Sequence, residues 1–176
     1  MITADHMILL GATARNTGKT ALAVALIETY SKKYPVVAVK VITVHNHGDI
    51  CPRGGKGCGI CSGLTKAFDI REETGSGNKD TMLFRRAGAR AVYLVRSYPE
   101  GLEEAMKTVL ADIGSGEVIV CESNSVRQVV KPGEFIMIRD AGQTPKPSAA
   151  AVLDQADVIV EDYREYQIKE ELLWSK

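Results

Sequence analysis

Two observations predict an α/β fold built on a doubly wound, mostly parallel sheet. The first is alternation: short apolar, β-rich runs at 7–10, 36–42, 91–95, 118–121, 135–138 and 158–160 are separated by helix-patterned segments. That order is the signature of parallel strands with helices laid over the sheet. The second is the join between the first run and the first helix. Residues 11–20 read GATARNTGKT and lead directly into good helix formers at 21–27. With 176 residues the chain fits one domain, 1–176, and can bury a substantial core.

A strand, a Gly-containing loop and a helix in that order form a phosphate cradle. Loop amides and the helix N-terminus face the anion, Lys19 reaches the outer phosphates, and the Thr20 hydroxyl can ligate Mg²⁺. The expected nucleotide-binding set is therefore Thr13, Ala14, Arg15, Asn16, Thr17, Gly18, Lys19, Thr20 and Ala21, on a P-loop NTPase fold. The match to G-x-x-x-x-G-K-[ST] has one departure, since Thr13 stands at the first Gly position. Thr there still permits the turn if its φ stays negative, with Gly11 expected to supply freedom two residues earlier. The variant of this loop in dimeric nucleotide-switch ATPases needs a basic residue at position 14. Ala14 occupies it, and Arg15 is one place off.

The remaining elements follow in order. Tyr34-Pro35 ends the first helix, and 36–42 is apolar on both faces, as a covered parallel strand should be. Residues 43–63 change character, with Gly clusters, two His and three Cys but no periodicity. So long a connection is expected to be functional. A short helix is expected at 64–73, a flexible turn at 74–78 and a helix at 79–87. Ser97 and Glu100 fit a capping box ahead of a helix with Leu102, Ala105, Met106, Val109, Leu110 and Ile113 on one stripe. Ser148 is expected to cap a helix presenting Ala149, Val152, Leu153 and Ala156, and 163–176 to form a surface helix.

A nucleotide site with Mg²⁺ needs an acid at a strand end. Glu122 directly after the run at 118–121 is the first candidate, and Asp80 is the second; either could hold the metal or orient an attacking water. With Lys19 they form the expected catalytic set. Ligands of such sheets sit at the carboxyl ends of strands, which gathers the 11–20 loop, the 43–63 loop, Asp80 and Glu122 on one rim. Lys40, on the second strand, reads equally as a partly buried base or a solvated group.

Cys51, Cys58 and Cys61 form C-x6-C-x2-C among glycines. In a reducing cytoplasm this favours Zn²⁺ or an iron–sulfur cluster over a disulfide, with His45 or His47, or thiolates of a second copy, completing the ligand set. Cys121 reads as a small core residue. Lys plus Arg equals Asp plus Glu at 22 each, so no net field draws the chain to nucleic acid or membrane. The first ten residues do not read as a secretory signal, no apolar run approaches the ~20 residues of a membrane span, and a cytoplasmic location is expected.

In order along the chain, GATARNTGKTALA, VKVITVHNHGD, GNKDTMLFRRAGARAVYLV and the strand ending in Glu122 resemble the molybdopterin-guanine dinucleotide biosynthesis adaptor family, a P-loop GTP-binding group. The second piece is similar to that family's Lys-His-Thr-His-His element, and the third to its Gly-Lys-Asp-Ser/Thr and Ala-Gly-Ala stretch. The resemblance spans residues 7–160. It implies homodimers, slow GTP hydrolysis and a supporting role beside a molybdenum-cofactor biosynthesis enzyme. The loop at 11–20 is also similar to those of dethiobiotin synthetase and the cobyric-acid ligases. No Asn-Lys-x-Asp motif is present to select guanine, so GTP and ATP both stand. Four readings stay open: an NTP-hydrolysing adaptor, a nucleotide-gated metal or cluster carrier, an ATP-dependent small-molecule ligase, and a binding module without catalysis.

Overall fold

The computed structural model describes residues 1–44 and 64–169. The histidines and cysteines of the expected metal site (His45, His47, Cys51, Cys58 and Cys61) lie outside the described residues. Seven strands are present: β1 (Ile2–Ala12), β2 (Val36–Thr43), β3 (Phe68–Glu72), β4 (Ala91–Ser97), β5 (Val118–Glu122), β6 (Val130–Ile138) and β7 (Val158–Val160). They form one sheet in the order β3-β4-β2-β5-β1-β6-β7. Every pairing is parallel except that of β3 with β4. The helices are α1 (Lys19–Tyr30), α2 (Asp80–Arg86), α3 (Leu102–Ala111) and the single turn α4 (Pro147–Ala150). Helices flank a mostly parallel sheet, an arrangement compatible with the doubly wound class. Among the described residues, no helix is long and apolar enough to cross a membrane.

Side-chain alternation along the strands decides which face each helix covers. On β1, β2 and β5 the even-numbered Ile8, Leu10, Val36, Ala38, Val118 and Val120 meet α1, whose Leu22, Ala23, Leu26, Ile27 and Tyr30 form one buried stripe. The odd-numbered Met7, Leu9, Val37, Val39, Ile119 and Cys121 pack on the other face with Leu102, Ala105, Met106 and Val109 of α3. Each fully buried aliphatic side chain contributes roughly 1.5–3 kcal/mol. A one-residue slip in strand register would exchange the two sets, so the register is strongly specified.

Four local expectations are corrected. Residues 68–72 are strand β3, not helix, because Phe68 and Ile70 pack on the α3 face while Asp69 between them pairs with Arg96 at 2.6 Å; this is period two. Ser97 does not cap α3. It is buried in β4 and its hydroxyl donates to the Tyr98 carbonyl at 2.7 Å, while Pro99–Gly101 makes a 3₁₀ turn ahead of the helix. Ser148 lies inside α4, whose N-cap is Lys146 with Pro147 following, and 153–155 is a separate 3₁₀ turn. Of the helix expected at 163–176, residues 170–176 lie outside the described residues, while 163–165 are a single 3₁₀ turn and 166–169 are irregular. That segment is tied down by the Tyr166 hydroxyl donating to buried Glu134 at 2.6 Å and by Lys169 on the same carboxylate at 2.7 Å.

Candidate functional site

The 13–20 loop joins β1 to α1 on the rim where the parallel strands end. It turns through two left-handed residues, Asn16 at φ 58° and Gly18 at φ 87°. Asn is one of the few residues besides Gly that adopt this region readily. Gly18 is doubly required, because a Cβ there would also lie 2.0 Å from Cδ1 of Tyr163. No side chain caps the N-terminus of α1 and its first turn holds no acid, so its first amides and the positive end of its dipole are directed at the loop.

Thr13 keeps a negative φ, as expected. Its position is explained by bonds that a glycine could only partly supply. Its amide donates to the Ile138 carbonyl at 2.9 Å, its carbonyl accepts from the Lys146 amide at 3.0 Å, and its hydroxyl accepts from the Asp140 amide at 2.8 Å. The amide and hydroxyl of Thr13 thereby anchor the loop to the end of β6. Gly11 does not supply a left-handed turn. It is a strand residue of ordinary φ, needed because a Cβ would crowd Met137, Phe135 and Asn124 at 2.9–3.1 Å.

Asn124 is the second anchor. Its buried amide accepts from the Ala12 amide at 2.8 Å, and donates to the Ala12 carbonyl at 3.0 Å and to the Ser148 hydroxyl at 3.3 Å. One side chain thus ties the ends of β1 and β5 to α4. Asn124→Asp replaces the donor facing the Ala12 carbonyl with a buried carboxylate oxygen. The expected loss is roughly 2–4 kcal/mol of stability in chemical denaturation, and denaturation at the parent's midpoint would refute the anchoring role.

Strand register brings the charged centre together. Lys40 of β2 and Leu10 of β1 flank Glu122 of β5. All three continue the even-numbered face, which at the rim meets the first turn of α1. Glu122 lies 3.3 Å from Lys19, accepts from the Thr20 hydroxyl at 3.4 Å, and receives Lys40 at 3.2 Å on both oxygens. The Lys40 ammonium also pairs with Asp80, the first residue of α2. Asp80 is placed by Glu73, whose carboxylate accepts from the Gly75 amide at 2.8 Å and the Thr81 hydroxyl at 2.7 Å. Those bonds, Thr81 first, hold the Glu73 carboxyl below its ordinary range. The side chain of Glu122 is 6% exposed and that of Asp80 40%, so Glu122 is the inner acid and Asp80 the outer one.

The structure therefore unites Lys19, Thr20, Asp80 and Glu122 and adds Lys40 between the two acids. Cys121 points to the opposite, apolar face, and burial first, then the neighbouring Glu122, pushes its thiol up. Among the described residues no three His, Cys, Asp or Glu side chains group as a metal site. Beside Thr20 and Asp80 a cleft of about 640 Å³ opens between α1 and α2, walled by Val24, Leu83, Arg86 and Tyr163. Comparison with protein-family models, curated proteins and solved structures finds no match.

Sequence reasoning missed Asn124, Lys146 and Tyr163. The signal for Lys146 was the Pro145-Lys146-Pro147 triplet, which holds an extended lysine just ahead of α4. Burial first, then the charges of Lys19 and Arg15, lowers the Lys146 ammonium to about 8. A base whose folded pKa lies below its unfolded value opposes folding while it is charged, and that penalty is relieved as pH rises through about 8 towards the unfolded value. Anion binding near it acts in the opposite sense, since it favours the charged form. Affinity for a phosphate ligand at this loop is therefore expected to fall as pH rises through about 8, and Lys146→Met should flatten that dependence. An identical pH profile in parent and variant would separate Lys146 from the loop's electrostatics.

Proposed function

We propose that the chain binds and slowly hydrolyses a nucleoside triphosphate, GTP or ATP, at the 13–20 loop, on a fold of the P-loop NTPase kind. The observation that carries this reading is the convergence of Lys19, Thr20 and Glu122 at the mouth of an uncapped helix reached through two left-handed loop residues. Successive amides in such a loop make an anion-binding concavity. The donor set fits Mg²⁺, because a hydroxyl and carboxylates are the hard oxygen ligands that ion takes. Thr20 and Glu122 would hold it, and when bound with the triphosphate it neutralises phosphate charge and polarises the phosphoryl group. Lys19 supplies a mobile cation to the outer phosphates, and Asp80, more exposed, is placed to orient water. An adaptor role beside a molybdenum-cofactor biosynthesis enzyme, as a homodimer, is the biological setting that the sequence resemblance supports.

The cleft beside Thr20 and Asp80 favours a second reading, phosphoryl transfer to a small acceptor as in a dethiobiotin-synthetase type of ligase. Phosphate release from GTP and from ATP separates these. Slow, Mg²⁺-dependent release without any acceptor, reduced in Asp80→Asn, supports the hydrolase. Release only upon addition of a carboxylate or amine acceptor supports the ligase, and metal-independent release contradicts both.

A further inference from the structure

The pairing of Lys40 is more than the site requires for phosphate binding. Its ammonium lies 3.2 Å from both oxygens of Glu122 and is also paired with Asp80, and its side chain is 15% exposed. The Thr20 hydroxyl donates to one of those Glu122 oxygens and Lys19 approaches the other. The ammonium already engages both oxygens of Glu122, the carboxylate a divalent cation would draw on, and one oxygen of Asp80. Taken by themselves, the two cations and two carboxylates of this cluster balance; removing Lys40 makes the cluster one charge more negative.

We propose that Lys40 is an internal counter-cation that competes with the divalent metal for Glu122, so that metal enters efficiently only with a polyphosphate. This rests on the nucleotide reading of the site and adds a metal-gating role for a residue of β2. Physically, one ammonium within hydrogen-bond distance of the inner acid, in a partly buried setting, offsets much of the attraction the two acids exert on a divalent ion. A triphosphate changes the balance by adding its own oxygens and negative charge beside Thr20. The ion then gains ligands that the ammonium cannot match, and Lys40 is left to turn towards the phosphates. Lys40 also crosslinks α2 to β5, so the arrival of metal loosens that link.

The test is Mn²⁺ binding to the full chain, followed by electron paramagnetic resonance with and without a non-hydrolysable triphosphate. Lys40→Met and Lys40→Gln are both made, the second keeping a hydrogen-bond donor should the first not fold. In the absence of nucleotide, the neutral variants are expected to bind Mn²⁺ at least tenfold more tightly than the parent. Lys40→Arg, which keeps the charge, should stay near the parent, and adding Glu122→Gln to Lys40→Gln should abolish the gain. Equal nucleotide-free Mn²⁺ affinity in parent, Lys40→Met and Lys40→Gln, with normal Mn²⁺–triphosphate binding in all three, would overturn the counter-cation role and leave the nucleotide site standing. No Mn²⁺ binding in any protein, even with triphosphate, would overturn both.

Discussion

Lys19→Ala is expected to weaken triphosphate binding by about 100-fold or more, because a charge-assisted hydrogen bond contributes roughly 1.5–3 kcal/mol and, on the proposed reading, Lys19 would serve more than one outer phosphate. The fold should be unaffected. The Lys19 side chain is 20% exposed, and its removal leaves Glu122 still paired with Lys40. Calorimetric titration and a thermal melt check the two halves separately. Binding as tight as the parent's would remove the cradle assignment, and a large drop in melting temperature would make Lys19 a structural residue instead.

Glu122→Gln is the second large effect. The substitution keeps the side chain's shape between Leu10 and Lys40 in the sheet register but removes its charge. The Thr20 hydroxyl keeps an acceptor, whereas Lys40 is left with Asp80 as its anionic partner. Turnover is expected to fall about 10²–10³-fold, because Glu122 would no longer hold the metal that neutralises charge at the phosphoryl group, while triphosphate affinity falls far less. Single-turnover phosphate release at saturating nucleotide reads this directly. Unchanged turnover would move the chemistry away from β5.

The sheet was legible because its strands are short runs of apolar residues set between helical stripes. The stripe of α3 and the buried identity of Cys121 are direct consequences of periodicity. β3 was not legible: five residues, FDIRE, alternate too briefly to outweigh a helix reading of the surrounding segment. The caps failed for a different reason. Ser97 and Ser148 match local capping patterns, yet Ser97 is buried at the end of β4 with its hydroxyl on the adjacent Tyr98 carbonyl, and the Ser148 hydroxyl is claimed by the distant Asn124 amide.

At the site, Lys19, Thr20, Asp80 and Glu122 could be named in advance because each sits at a strand end or helix start. Lys40 could not be resolved from composition. Its meaning lies in the shared register of Lys40 with Glu122, which needs the strand order β2-β5-β1. Asn124 and Lys146 act by bonding backbone groups of Ala12 and Thr13 more than 100 residues away. No local pattern records such a contact.

The central claim is that the 13–20 loop holds a triphosphate with Mg²⁺. Titration of the intact chain with GTP and with ATP, each with Mg²⁺, tests it most directly. The account predicts saturable micromolar binding of at least one of them, weakened when Mg²⁺ is chelated. An absence of binding for both at millimolar nucleotide would contradict it.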